Sequence, residues 1–228
     1  MKKIKIALGI SMVIATLSSS VYAQSSGSNS GAFGGGWSIG AEAGAIDVSK
    51  LASSIAVRNG TQMVNTFGGS ASETYTSTIA SGRLYLGKSF TENIGGEIGY
   101  MSTTPMTINY AGRTAGNVAW TAQQSFSLGS GDVFATLHGD KDTVLENIYL
   151  KVGAHYSSVS ASTTASANGA SASSSYSYSG AGPAIGIMYD KGISQAFDVR
   201  ISYVYYGSIA GVSGLNANLY NVGAVYKF

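Results

Sequence analysis

Large apolar side chains recur at every second position in eight segments of this 228-residue chain. In the first segment, Trp37, Ile39, Ala41 and Ala43 alternate with small or polar residues. Side chains of a β-strand point to opposite faces in turn, so this period of two predicts strands rather than helices. The eight predicted strands lie near 37–45, 82–90, 93–101, 132–138, 147–156, 180–189, 197–207 and 220–228.

The two faces of these strands allow two folds. In a soluble sandwich the apolar face forms the core, whereas in a membrane barrel the apolar face meets lipid. The polar face here carries many of the 31 glycines and few charges, which favours a crowded barrel interior over a solvated surface. Aromatic residues near the strand ends match an interfacial girdle. These are Trp37, Phe90, Tyr100, Tyr156, Tyr189, Phe197, Tyr205 and Phe228. We therefore expect an all-β fold, an eight-stranded antiparallel up-and-down transmembrane β-barrel.

The connections between predicted strands alternate in length. Long external loops are expected near 47–77, 103–125, 158–176 and 207–214, with tight periplasmic turns between them. The 158–176 loop is rich in Ser and Ala and carries no charge, so it is expected to bury no core. Pro183 cannot donate a ladder hydrogen bond and is expected near a strand start or a bulge.

The first residues predict export. Lys2, Lys3 and Lys5 precede an apolar run, and Val21-Tyr22-Ala23 supplies small residues for cleavage. We interpret 1–23 as a signal peptide, 24–35 as a flexible lead-in and 36–228 as the barrel. An uncleaved anchor is the alternative, although its apolar run is short for a spanning helix.

Charge and composition exclude several functions. Three of the 13 Lys and Arg residues lie in the signal peptide, which leaves ten against 11 acidic residues, so no nucleic-acid partner is expected. The chain has no cysteine, and His138 and His155 are its two histidines, so we expect neither a disulfide nor a metal site, and no cofactor.

Charged residues follow the strand alternation. Lys88 lies on the lipid-facing side beside a turn, where its long side chain can reach the interface. The inward-facing set is Glu42, Arg83, Glu97, Lys151, Asp198 and Arg200. Because eight strands leave room only for side chains, we expect this set to form a charge network that plugs the interior, together with Tyr85, Tyr149 and Tyr206.

GGEIGYM, ENIYLKVGAHY, AIGIMYDKGIS, FDVRISYVYYG and the ending VGAVYKF resemble strands 3, 5, 6, 7 and 8 of the OmpA-type outer-membrane barrel family. The resemblance implies that interior Glu97 faces Arg200, with Lys151 as a further basic partner. Met188 and Thr136 stand where the family has interior charges, so Glu42 and Arg83 are expected to substitute.

The last strand carries Tyr220, Val222, Tyr226 and Phe228 on one face. This aromatic ending also resembles the signal by which the barrel assembly machinery selects its clients, so we expect that machinery and periplasmic chaperones as partners during biogenesis.

An enzymatic alternative rests on His155-Tyr156-Ser157, which resembles the His-x-Ser signature of outer-membrane lipid A deacylases. No acidic residue lies between Asn147 and Tyr189 to orient the histidine, and the alternation places His155 inside the barrel. We therefore predict no enzyme. The expected function is a structural component of the Gram-negative outer membrane, in contact with its lipid. The alternatives are a narrow porin-like channel, or an adhesin or receptor whose loops bind host or cell-surface ligands.

Overall fold

The computed structural model of the chain describes residues 36–67, 69–140, 143 and 145–228. The predicted signal peptide and lead-in lie outside the described residues.

Eight antiparallel strands close into a barrel. They are β1 (Trp37–Asp47), β3 (Thr78–Ser89), β4 (Ile94–Thr103), β6 (Ala119–His138), β7 (Ile148–Ala167), β8 (Ala170–Gly192), β9 (Phe197–Tyr206) and β10 (Ala217–Lys227). Each strand pairs with its neighbours in this order, and β10 returns to pair with β1 from Ser38↔Lys227 to Asp47↔Asn218. The predicted all-β, eight-stranded antiparallel up-and-down barrel is confirmed.

The polarity of this barrel is the reverse of that of a soluble protein. Leu84, Ile98 and Val133 point outward and are 57–65% exposed. Arg83 and Lys151 point inward and are 1% and 0% exposed. An outward apolar band around a polar interior is the arrangement of a transmembrane β-barrel.

Two shorter strands extend the wall at one end of the barrel. They are β2 (Ser70–Tyr75) and β5 (Met106–Arg113). β5 pairs with the first part of β6, and β2 pairs with β5. Together with the adjacent parts of β6, β7 and β8, they form a five-stranded sheet that continues the barrel wall, here called the distal sheet.

Much of 103–125 and 158–176, where external loops are expected, is built from strands. Residues 148–192 form one hairpin whose ladder runs without interruption from Ile148↔Tyr189 to Ala167↔Ala170. Asn168 and Gly169 turn the chain with φ angles of 48° and 78°, the left-handed pair that favours a two-residue hairpin turn. The Ser-rich segment needs no core of its own, because backbone pairing with β6 holds it in register.

The connection expected at 47–77 contains helix α1 (Ser49–Phe67). Asp47 Oδ1 accepts a hydrogen bond from the backbone N–H of Ser49 at 2.9 Å, which satisfies one donor of the first turn. Leu51, Ala52 and Ala56 are buried. They join an apolar cluster with side chains of the distal sheet and of the end of the barrel next to it. The cluster includes Ile108, Tyr110, Trp120, Phe126 and Leu128.

Neither α1 nor any other helical segment of the described residues combines the length and apolar character that a membrane-crossing helix requires. In the 207–214 connection, a single 3₁₀ turn spans Ile209–Gly211.

Pro183 lies within β8 rather than near a strand start. It marks the place where the β8–β9 ladder stops, since that ladder runs only from Ala184↔Tyr206 to Gly192↔Asp198. Its carbonyl accepts a hydrogen bond from the N–H of Gly207 at 2.9 Å. The nitrogen of Pro183 therefore points toward the end of β9. One ladder hydrogen bond to β9 is lost there, and the pairing of β8 with β7 is undisturbed.

Candidate functional site

The inward face of the barrel gathers charged side chains from five of its eight strands. Glu42 lies on β1, Arg83 directly opposite it on β3, and Glu97 on β4. Lys151 and Arg200 approach from β7 and β9. Each of these five residues is at most 6% exposed, and strand alternation alone turns all of them inward.

Arg83 contacts three carboxylates. It makes a two-pronged contact with Asp132, with Nη2 2.7 Å from Oδ1 and Nε 3.1 Å from Oδ2. Its Nη atoms lie 3.4 Å from Glu42 Oε2 and 3.3 Å from Glu97 Oε2. The planar guanidinium presents several N–H groups at once, so one cation satisfies acceptors from three strands.

Glu97 is the complementary anion. Its Oε2 lies 2.6 Å from Lys151 Nζ, and its Oε1 accepts a hydrogen bond from Arg200 Nη1. Arg200 also holds Asp190 in a fork, with Nε 2.7 Å from Oδ1 and Nη2 2.6 Å from Oδ2. The ion pairs therefore extend across the interior rather than forming separate surface contacts.

Aromatic rings fill the space between the charges. The Tyr85 ring centroid lies 4.7 Å from the Arg83 Cζ and 4.8 Å from the Arg200 Cζ. Lys151 Nζ lies 5.2 Å from the Phe134 ring centroid. Cations on ring faces add to the attraction of the ion pairs.

Asp198 is placed inward, as its position in the strand predicts, but apart from the central contacts. Its Oδ1 lies 2.8 Å from Lys227 Nζ, and the Lys227 side chain is 24% exposed. We therefore define the central network as Glu42, Arg83, Glu97, Asp132, Lys151, Asp190 and Arg200. It contains three cations and four carboxylates, and donors such as Asn221 Nδ2 to Glu42 and Tyr206 OH to Asp132 support the excess acceptors.

Sequence reasoning missed Asp132 and Asp190. Both have the inward parity of their strands, two residues from Phe134 and Met188 respectively. Asp132 is the first residue of the predicted strand 132–138, and Asp190 directly follows the predicted strand 180–189. The inward parity of Asp132 can be read within its strand, and extending the alternation of the second strand by one residue includes Asp190.

The residues with an expected assembly role lie on the outward face of β10 and just beyond it. Tyr220, Val222 and Phe228 are 54–63% exposed. Ring contacts link Phe197, Tyr226 and Phe228 into an aromatic group at this rim.

His155 and Ser157 are buried and hold the backbone of the β9–β10 connection. His155 Nε2 lies 2.7 Å from the carbonyl oxygen of Gly207, and Ser157 Oγ accepts from Ala210 N at 2.7 Å. Since a carbonyl only accepts, His155 carries its proton on Nε2. It thereby serves the Gly207 carbonyl that Pro183 cannot reach with an N–H.

No protein-family model and no curated protein matches the chain in sequence. Among solved structures it is similar to Ail, the attachment invasion locus protein of Yersinia pestis, with 14% identity, 85% of this chain and 99% of that chain covered, and a TM-score of 0.46. It is also similar to Neisserial surface protein A, with 15% identity, 84% of this chain and 97% of that chain covered, and a TM-score of 0.37. For the outer membrane protein OprG of Pseudomonas aeruginosa the identity is 12%, the match covers 85% of this chain and 96% of that chain, and the TM-score is 0.40.

These likenesses concern the fold alone. The strand pairing and the distribution of polarity within this chain define its class, a membrane-type β-barrel whose interior is occupied by a charge network.

Proposed function

We propose that the chain is a non-enzymatic structural component of the Gram-negative outer membrane, with a plugged interior and the distal sheet and α1 on the cell surface. The observation that carries this proposal is the central network, whose side chains meet across the interior. The relation to the OmpA-type family is part of the same proposal and rests on Glu97, Arg200 and Lys151.

The outward face supports insertion in lipid. A charge at mid-bilayer on this face costs roughly 2–4 kcal/mol, and the central network lies on the opposite face of the strands. Lys88 is the outward exception in β3, and its Nζ lies 5.0 Å from the ring centroid of Trp37. That pair suits an interface, where the ring sits at the headgroups and the ammonium reaches water.

The interior supports a barrier rather than an open channel. Eight strands leave a space that side chains fill, and the apolar cluster beneath α1 covers the same interior at the distal end. A narrow porin-like path would require Arg83 to part from Asp132 and Lys151 to part from Glu97.

Planar-bilayer recording tests the barrier. The unaltered protein should give no large steady conductance, whereas Arg83→Ser should give intermittent openings because the side chain that joins three carboxylates is gone. Lys88→Ser removes a cation from the same strand on the outward face and should stay closed. A large steady conductance of the unaltered protein would contradict the proposal.

The geometry of His155 and Ser157 supports the absence of lipid A deacylation. Both side chains are buried and engaged with backbone groups, and no hydrogen bond joins them within the described part of the chain. An assay on membranes containing the protein should show no deacylation. Activity that disappears in His155→Ala would overturn this part of the proposal.

Lipid, the barrel assembly machinery and periplasmic chaperones are the proposed partners during biogenesis. The outward aromatic group at Tyr226 and Phe228 supports this, since an assembly factor can reach it before lipid covers it.

A second candidate function is surface contact with host or cell-surface ligands, favoured by the length of the distal sheet. A variant joining Ala161 to Tyr176 through Asn-Gly removes the tip while keeping the register, because these two residues face each other in the ladder with the same hydrogen-bonding parity as Ala167 and Ala170 at the native turn. If it folds normally and cell adherence falls, the adhesin function is supported. Unchanged adherence leaves the structural function alone.

A further inference from the structure

One edge of the distal sheet is open. In the described residues, β9 pairs with β8 only from Ala184 to Gly192, and Gly207 adds one bond at Pro183. Between Ala170 and Gly182, β8 pairs with β7 on one side only. Residues 170–179 are exposed throughout, and Tyr178 is 61% exposed.

Backbone geometry fixes which groups point away from the sheet. The carbonyl of Pro183 points toward β9, because it accepts from Gly207 N. In a strand, the N–H and C=O of one residue point to the same side, and they alternate along the chain. The odd-numbered residues from Ser171 to Ser179 therefore direct their N–H and C=O groups out of the sheet.

The edge carries none of the usual protection against strand pairing. Exposed edges are normally short, charged or interrupted by proline. The segment ASASSSYSYSGAG (170–182) has neither charge nor proline. The opposite edge, β2, is only six residues long and carries Glu73.

We propose that this edge binds the same edge of a second copy of the chain, in an antiparallel pair centred on Ser175. In this register Ser175 faces its own counterpart, Ser173 faces Ser177, and Ser171 faces Ser179. All are residues whose backbone groups point outward, so each facing pair exchanges two N–H···O bonds.

The side chains fit this register. On the other face of the strand, Tyr178 falls opposite Ala172, and Tyr176 falls opposite Ser174. These are the closely spaced, non-hydrogen-bonded positions, where a large ring beside a small side chain packs without a clash. The absence of charge from the segment leaves no like-charge repulsion across the two-fold axis.

The orientation has a consequence for cells, which rests on the proposed function. A two-fold axis perpendicular to the sheet joins two distal sheets into one continuous sheet with opposite strand directions. The two barrels then point away from each other, so the pair connects two membranes rather than two proteins in one membrane.

Disulfide trapping in detergent tests the pairing independently of the membrane, and the full exported chain has no cysteine to interfere. Ser175→Cys should form a disulfide-linked dimer, because Cα atoms of a hydrogen-bonded pair lie about 5.5 Å apart, within disulfide range. Ser162→Cys is the matched control, since Ser162 lies beside Ser175 but on β7, away from the edge.

The register is tested by mixing Ser171→Cys with Ser179→Cys. The mixture should crosslink, whereas each variant alone should not. A missing Ser175→Cys dimer, or equal crosslinking of Ser162→Cys, overturns the pairing. Crosslinking of Ser171→Cys with itself overturns the antiparallel register.

Vesicles carrying the protein test the opposed orientation. The unaltered protein should cluster vesicles, and Ser175→Lys should abolish clustering by placing two ammonium groups at the axis, while Ser162→Lys should not. Dimers that crosslink without clustering vesicles would overturn the membrane-bridging orientation. The conductance of the barrel is unaffected in either case, so failure here is distinguishable from failure of the proposed barrier.

Discussion

Replacement of Arg83 by Met tests whether the central network stabilises the barrel. Arg83 is 1% exposed and meets Asp132, Glu42 and Glu97 at 2.7–3.4 Å. Met keeps most of the side-chain volume, so the change removes charge and hydrogen bonds rather than opening a large cavity.

The expected loss of stability follows from the contacts that Asp132 keeps in the variant. Asp132 keeps one hydrogen bond from Tyr206 but loses both donors of the guanidinium. Removing one partner of a buried ion pair leaves a desolvated charge and costs about 3–5 kcal/mol. We expect the free energy of unfolding of Arg83→Met to fall by about this amount.

The measurement is reversible denaturant unfolding in detergent, followed by tryptophan fluorescence and by heat-modifiable gel migration. A shift of the midpoint at unchanged slope reports a change in stability. Lys88→Met is the control, because it removes a cation of the same strand from the outward face. Its contact with Trp37 accounts for about 0.5–1 kcal/mol.

A double-variant cycle with Asp132→Asn isolates the strongest contact. Residues that share a buried ion pair show coupling of about 0.5–3 kcal/mol, whereas independent sites add. The reasoning about the network is wrong if Arg83→Met lowers the free energy of unfolding no more than Lys88→Met does. It is also wrong if the losses caused by Arg83→Met and Asp132→Asn simply add in the double variant.

Three further predictions concern packing, helix α1 and assembly. Gly153→Ala should destabilise the barrel by about 1–3 kcal/mol, because its Cβ would lie 1.9 Å from the carbonyl oxygen of Val133. Gly82→Ala, whose nearest neighbour would be 4.0 Å away, should be close to neutral in the same unfolding assay. The backbone bond from Ser49 lowers the pKa of Asp47, so its stabilisation of α1 should persist above the ordinary carboxyl pKa and be lost as pH falls through the lowered one. Hydrogen exchange in the first turn should show this, and Asp47→Asn should remove the pH dependence; the same dependence in that variant would contradict it. Deleting Phe228 should reduce folded protein in cell membranes more than it reduces stability after refolding, and normal assembly in cells would remove the proposed signal.

The barrel strands could be predicted because one face of each must be apolar and the other must not. Leu84 and Arg83, adjacent in sequence, already indicate opposite surroundings. This alternation places Glu97, Lys151 and Arg200 inside without any knowledge of their partners. The partners Asp132 and Asp190 were missed because both lie at the limits assigned to their strands, where alternation over a short window is least informative.

The distal sheet and α1 could not be predicted for a different reason. Residues 157–181 lack large apolar alternation, and their strands exist because neighbouring backbones pair with them. In α1, Asn59 and Gly60 are poor helix formers, and the helix is held by packing of Leu51 and Ala56 on distant strands. Such long-range stabilisation leaves little trace in local sequence.

The pairing of β1 with β10 has a kinetic consequence. Ser38 and Lys227 meet across the closure although they lie about 190 residues apart along the chain. The entropy of bringing such distant segments together must be met before their hydrogen bonds form, and this makes folding slow. Until then, both strands offer open edges to other chains. We therefore expect closure to be the last step of folding and the stage at which aggregation competes most strongly with it.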